Sequence, residues 1–346
     1  MHKMTEVEKD SKNKKWKKVL SVVFRCIFFL WILWFVFHNH YKEIYENIRG
    51  IHPGILVSIL ALGASYQMIG GYAFFQLAHK NHPGFTYKEA LESAYVSYFG
   101  TIAAFSVGAL PLRMYYLHRH QINAGNGISL INSDFILHKS AVLVCNTFLL
   151  LLAGRGFVKE QPYILKYIIY GYLICFLIIL GLILIGFSEK IFTLAKWGIS
   201  KLPENQKLIR LKEKLLYYLG TMHECGVEMK KNIVNNFKIL LIHCVKLLIM
   251  YSIPFVCLRA ISTKSVPFLE IVMLVGITNL VSSALPNVSG LGSTEVAFLL
   301  VFSKIIDGPN VSSTLVLYRI ATYFLPFIIS CIVFAKVEQN RKKVKK

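Results

Sequence analysis

The residues best placed to do chemistry lie between Ile277 and Ile306, in ITNLVSSALPNVSGLGSTEVAFLLVFSKII. An apolar run breaks at Pro286, passes Gly290 and Gly292, and resumes as a predicted helix carrying Glu295. At membrane depth such a break frees backbone N–H and C=O groups that hydrocarbon cannot satisfy. It therefore belongs inside protein or beside a hydrated cavity. A carboxylate in the first turn of the returning helix is favoured by the helix dipole and disfavoured by desolvation. Glu295 is thus a candidate for contact with a polar or cationic headgroup, or for proton uptake during transport. The structural alternative is a cap on the helix start, together with Ser293 or Thr294.

A second constellation precedes it. Gly108 and Pro111 interrupt the apolar stretch 90–118, and Arg113 follows. A guanidinium can hold a phosphate bidentately without losing its charge, so phosphate recognition is one reading of Arg113. An interfacial arginine snorkelling to the cytoplasm is the other. Asp134 and Arg319 fall inside predicted spans, where an unpaired charge facing lipid is costly. Arg113 with Asp134, and Glu295 with Arg319, are the expected ion pairs. A purely structural salt bridge is the alternative for each. His138, Lys139, His243 and Lys246 also fall within spans, and His243 and Lys246 sit one turn apart, where they can face a cavity. A histidine in a span is more often a hydrogen-bonded packing residue, so these rank lower.

Catalytic signatures are missing from the sequence. It has no Walker A element, no GxSxG, no HExxH, and no polar segment long enough for a catalytic domain. No catalytic residue is assigned, and ATP-driven pumping by this chain alone is not expected. The seven cysteines (Cys26, Cys145, Cys175, Cys225, Cys244, Cys257 and Cys331) are scattered without CxxC or Cys/His metal spacing. Neither a disulfide framework, a metal site nor a cofactor is indicated.

The elements that must position these residues follow from composition. Of 346 residues, 55% are hydrophobic and 16% charged, well below the roughly 25% charged of a soluble domain. Several apolar runs reach the roughly 20 residues a spanning helix needs. The expected fold class is an all-α polytopic integral membrane protein. The net charge of +21 lies in loops and tails beside apolar segments, the pattern of the positive-inside rule. Nucleic-acid binding is therefore not expected, and anionic headgroups are the natural partners of this charge.

Spans are expected at 19–37, 54–78, 128–153, 163–187, 236–258 and 312–335, with 90–118 and 268–306 irregular. Residues 188–238 carry ten Lys/Arg against five Glu and belong in the cytoplasm. That placement fails if every apolar segment crosses fully from a cytoplasmic N-terminus. It succeeds if 90–118 and 268–306 are re-entrant. The eight hydrophobic segments then form six full spans and two re-entrant hairpins, with eight full spans as the competitor. Both termini lie in the cytoplasm of a multi-pass protein of the cell membrane.

The expected domain order is a basic tail 1–18, a first membrane half 19–187, a basic loop 188–235, a second half 236–336 and a basic tail 337–346. Gly108 precedes Gly290 by the same interval as Arg113 precedes Glu295. Helix 54–78 maps onto 236–260 by the same shift, which suggests an inverted repeat. Within the loop, Leu208, Leu211, Leu215 and Leu219 recur at helical spacing beside Lys207, Arg210, Lys212 and Lys214. This is the pattern of a basic amphipathic helix on the inner leaflet, or of an ordinary cytoplasmic connector.

These motifs resemble a known family. Ala284–Glu295, with Gly308 and Leu317-Tyr318-Arg319, is similar to the Pro–Gly–Gly–x–Gly–x–x–Glu signature and following Tyr-Arg helix of the transmembrane, flippase-like domain of the lysylphosphatidylglycerol synthase family. Gly108–Leu117 resembles that family's upstream Gly–Gly–x–Pro–x–Arg/Gln–x–Tyr element. Ser289 stands where the family often has its first glycine, and Ala104 where the first element often has proline.

The resemblance covers the chain from about residue 20 to 335. It implies translocation of a phosphatidylglycerol-derived or aminoacylated phospholipid, with a link to resistance against cationic antimicrobial peptides. Full-length members add a soluble domain that transfers lysine from lysyl-tRNA. This sequence stops after its last span, so the translocating part alone is expected and an enzyme is not expected from this chain by itself. Two other readings stay open: a phosphatidylglycerol lysyltransferase or a part of one, and a non-transporting scaffold for a separate lipid or cell-envelope enzyme.

Overall fold

The computed structural model describes residues 41–344, apart from 105–106, 155–157, 160, 204–205, 263–265 and 286–290. The expected span 19–37, the tail 1–18 and the break residues Pro286 and Gly290 lie outside the described residues.

The described chain is helical. It begins with α1 (Tyr41–Arg49), α2 (Pro53–His79), α3 (Tyr87–Ala103) and α4 (Ala109–Arg119). Next come α5 (Ala124–Leu149), which runs on as a π-helical turn over Leu150–Gly154, and α6 (Ile164–Phe187). Two helices, α7 (Glu189–Ser200) and α8 (Gln206–Lys231), lead to the second half. That half holds α9 (Ile233–Ile261), α10 (Phe268–Ala284), α11 (Ser293–Phe302), α12 (Gly308–Arg319), a π-helical turn over Ile320–Phe324, and α13 (Leu325–Val344).

Local chemistry sets several starts. Pro53 opens α2, and Gly54 N donates to His52 Nδ1 at 3.2 Å. A reciprocal capping box opens α3: Glu89 N donates to Thr86 Oγ1 at 3.3 Å, and Thr86 N to Glu89 Oε2 at 2.7 Å. Asn123 caps α5, accepting from Asn126 N at 2.8 Å.

Five stretches are long and apolar enough to cross a membrane: 53–79, 124–154, 164–187, 233–261 and 308–340. They match the expected spans within a few residues; the sixth falls outside the described residues. The two irregular stretches are helical hairpins, α3 with α4 and α10 with α11. Their first arms have 17 residues each and their second arms 11 and 10. At 1.5 Å per residue the arms are about 26 Å and about 15 Å long, short of a hydrocarbon core of about 30 Å.

One order of elements therefore recurs: long helix, hairpin, long helix, as α2/α3–α4/α5 and α9/α10–α11/α12–α13. The two leading helices, α2 and α9, pack on each other, and α10 packs between α6 and α9. The main core runs through α10, where Ile271 to Val275 are buried, and reaches Tyr251, Phe298 and Phe302. On α6, by contrast, Leu173, Phe176 and Leu177 are exposed. A continuous apolar face of this kind belongs against lipid.

Two expectations are refined. The helix α8 packs on α5 and α6, burying Leu219, Cys225 and Met229, while Leu211 and Leu215 stay exposed. Only its first part keeps an uncovered leucine face; the second part is core. The last helix continues to Val344, beyond the expected boundary at 336. Its extension is held by α4, because Arg119 Nη1 donates to Val337 O at 3.1 Å and Tyr115 Oη to Glu338 Oε1 at 3.1 Å.

Candidate functional site

Each hairpin is closed by a position that only glycine fills without strain. In the first, Gly100 and Gly108 face each other. A Cβ on Gly100 would run into Gly108 O, and one on Gly108 would lie 2.8 Å from Gly100 O. In the second, Gly292 has φ 93°, a conformation L-residues rarely adopt, and it immediately precedes α11. Near this turn Ser282 Oγ lies 3.0 Å from both Ser293 Oγ and Thr294 Oγ1, joining the two arms.

Glu295 occupies the third position of α11. Gly292 N donates to its Oε2 at 2.7 Å, and Arg319 Nε donates to its Oε1 at 2.7 Å. The carboxylate is thus both helix cap and ion-pair partner, and it is 3% exposed. The matching pair in the first half has its signs exchanged: Arg113 of α4 donates through Nη1 to Asp134 Oδ2 of α5 at 3.3 Å. Arg113 also lies 3.9 Å from the Phe74 ring centroid. In both halves an ion pair ties the second hairpin arm to the following long helix.

Asp134 has a further neighbour. His243 Nε2 of α9 lies 3.3 Å from Asp134 Oδ1 but off the line of a hydrogen bond, and neither atom has another partner. The His138 and His243 rings meet edge to face, with centroids 5.4 Å apart. His138 Nδ1 and His243 Nδ1 are buried without a hydrogen-bond partner. The cluster thus gathers three ionisable side chains, Asp134, His138 and His243, at one buried place between α5 and α9.

Next to this cluster lies a polar cavity of about 290 Å³. The first half supplies Tyr66 and Gln67 from α2, Tyr98 from α3 and His138 from α5. The second half supplies Lys246 and Met250 from α9, Val275, Thr278 and Asn279 from α10, and Thr294 from α11. Tyr318, Arg319 and Thr322 close it from α12 and its π-helical turn. Hydroxyl and amide groups dominate the wall, and none of these residues is acidic.

The π-helical turn is held open from across the cavity. Tyr98 Oη donates to Thr322 O and Tyr323 O, each at 3.3 Å. Carbonyls displaced from regular helix bonding gain a donor in this way. Behind the wall, Tyr251 Oη accepts from Asn279 Nδ2 at 3.0 Å and Asn146 Nδ2 at 3.3 Å, linking α9, α10 and α5.

The predicted site residues thus divide. Arg319, His138 and Lys246 line the cavity, and His243 stands behind His138. Arg113, Asp134 and Glu295 are engaged in the flanking pairs and do not line it. Gly108 and Gly292 shape the turns, and Pro111 is exposed in the first turn of α4. Tyr66, Gln67, Tyr98, Thr278, Asn279 and Thr322 were not among the predicted residues. Their signal is polar side chains recurring near the middle of apolar helices. Among the described residues no cluster of His, Cys, Asp and Glu is arranged to hold a metal ion.

The fold and site define a polytopic helical membrane protein whose polar cavity lies between two interrupted hairpins. Residues 22–330 match the family described as the lysylphosphatidylglycerol synthase TM region. The chain belongs to that family. A comparison with curated proteins finds no match.

Proposed function

We propose that this protein moves phospholipids between leaflets, with the headgroup passing through the polar cavity while the acyl chains stay in lipid. The observation that carries this reading is the cavity itself: a polar chamber in an apolar helical protein, bounded by both hairpins. Its size supports the division of labour, since about 290 Å³ is near the roughly 300 Å³ lower bound of small-ligand pockets and admits a headgroup alone. Family membership supports a phosphatidylglycerol-derived or aminoacylated phospholipid as cargo.

In this reading the halves are inverted repeats, the hairpins are re-entrant, and both termini lie on the cytoplasmic side of the cell membrane. Arg113–Asp134 and Glu295–Arg319 hold the second arms in place on either side of the path. Changing envelope charge in this way connects to cationic-peptide resistance.

A second reading, a membrane part of a phosphatidylglycerol lysyltransferase, is favoured by the family's name. Two assays separate them. Purified protein in liposomes is expected to accelerate leaflet exchange of fluorescent phosphatidylglycerol over empty liposomes. Exchange equal to empty liposomes, with and without an ion gradient, rejects translocation of that lipid. Incorporation of lysine into lipid by the same preparation supports the transferase.

A further inference from the structure

Two groups compete for one carboxylate. Asp134 Oδ2 of α5 takes Arg113 Nη1 of the first hairpin at 3.3 Å, and Asp134 Oδ1 faces His243 Nε2 of α9, also at 3.3 Å. Arginine keeps its charge, whereas imidazole gains one on protonation. The carboxylate favours the tautomer with hydrogen on Nε2. The lone pair of neutral His243 then sits on Nδ1, which is buried without a hydrogen-bond partner. A proton added there leaves two cations on one anion, and each weakens the other's hold on it. Proton binding at His243 thus acts on the contact that ties α4 to α5.

The cavity gives access to this place. His138 lies one turn from Asp134 on α5 and lines the cavity, and its ring meets that of His243 with centroids 5.4 Å apart. His243 is 1% exposed and does not itself line the cavity. Chains of Asp and His at membrane depth serve as proton relays in pumps and transporters.

The other charged groups nearby do not absorb the added charge. Lys246, one turn along α9 from His243, lines the same cavity against the Tyr66 ring of α2. Lys139 of α5 donates to Ser283 Oγ of α10 at 3.2 Å, and Arg319 of α12 is paired with Glu295. On α8, Glu228 accepts from Ser129 and Asn81. Among the described residues, Asp134 is the one carboxylate that meets Arg113 or His243.

We propose that Asp134 and His243 form a proton-binding site, entered from the cavity through His138, and that its occupation loosens the second arm of the first hairpin and couples leaflet exchange to a proton gradient. The step adds one proton to His243 Nδ1 and breaks no covalent bond. The coupling rests on the translocation reading; the proton site does not.

Two measurements on the full chain keep these apart. The first is amide hydrogen exchange in detergent micelles, corrected for the intrinsic rate at each pH, and it needs no lipid movement. Lowering the pH from about 8 to about 5.5 spans the ordinary histidine range. It is expected to speed exchange around Arg113 about ten-fold, the size of one weakened hydrogen bond to a charged group, and to leave α10 unchanged. His243→Gln is expected to abolish that response, and His138→Gln to keep it at equilibrium. A wild type without the response overturns the proton site, as does a response that survives in His243→Gln. If that variant does not fold, the wild type decides by location. A response confined to the end of α4, beside His118 and His120, overturns the assignment.

The second measurement is exchange of fluorescent phosphatidylglycerol in liposomes with and without an imposed proton gradient. The gradient is expected to accelerate exchange in the wild type and to have no effect in either histidine variant. Exchange that proceeds equally in both conditions overturns the coupling. Gradient-driven exchange that survives in His138→Gln overturns the entry route. No exchange under any condition rejects translocation, and hydrogen exchange around Arg113 then decides the proton site alone.

Discussion

Glu295 and Arg319 meet at 2.7 Å across 24 residues of sequence, and the same carboxylate also takes the Gly292 N–H at the start of α11. One buried side chain thus fixes the position of the hairpin arm and its distance from the cavity wall, because Arg319 is itself part of that wall. Glu295→Gln keeps an oxygen for Gly292 N but removes the counter-charge. Removing one partner of a buried pair costs about 3–5 kcal/mol. Unfolding of the purified protein in detergent should show a loss of that order. Replacing both partners by apolar residues, as in Glu295→Leu with Arg319→Met, should recover most of it. A double variant as unstable as the single one would mean the pair is not the source.

Gly292 tests the turn itself. Its φ of 93° makes any L side chain strained whatever space surrounds it. Gly292→Ala should destabilise by about 1–3 kcal/mol. The strain sits at the N-terminus of α11, so faster amide exchange is expected at Ser293 to Val296, while α6 stays unchanged. Uniform loss of protection across both would place the damage elsewhere.

Arg113 and Asp134 give a cleaner energetic case, because their contact can be isolated by a double-mutant cycle. The guanidinium is fixed by the carboxylate at 3.3 Å and the Phe74 ring at 3.9 Å. Arg113→Ala and Asp134→Ala should be non-additive by about 0.5–3 kcal/mol in unfolding free energy. Arg113→Lys should not restore the wild type, since an ammonium lacks the planar group that stacks on Phe74 while donating to Asp134. Simple additivity would show that the two residues act independently.

The contrast between these pairs and the cavity explains what the sequence could disclose. Arg113, Asp134, Glu295 and Arg319 are charges in apolar segments, and the cost of burying a lone charge makes partners almost obligatory. The long helices were legible for a similar reason: hydrocarbon demands a continuous apolar run. The cavity wall obeys no such rule. Tyr66, Tyr98, Thr278 and Thr322 are single polar residues in four different elements, and the two threonines bond carbonyls one turn back in their own helices, Thr278 on Leu274 O at 2.9 Å and Thr322 on Tyr318 O at 2.7 Å. Only packing reveals that they converge. The π-helical turns at 150–154 and 320–324 carry only a general signal of disruption, since Gly154 ends the first and Pro326, which has no N–H to give Thr322 O, follows the second; neither residue specifies a π turn.

Tyr98 joins the first hairpin to the second half at the π-helical turn that follows α12. Its hydroxyl donates to Thr322 O and Tyr323 O, and its ring meets Tyr323 edge to face at 6.3 Å. Tyr98→Phe keeps the ring and removes the donor, at a cost of about 1 kcal/mol for a hydrogen bond of this kind. If the π-helical turn depends on that donor, protection should fall at the amides around Ile320 to Phe324 and leave α2 and α9 unchanged. Leaflet exchange should change with it, because Thr322 on that turn and Arg319 just before it line the cavity. Lost protection with unaltered exchange would show that the turn serves the packing of α13 alone. Altered exchange with intact protection would place the effect in the cavity, where the Tyr98 hydroxyl itself would be the group that matters.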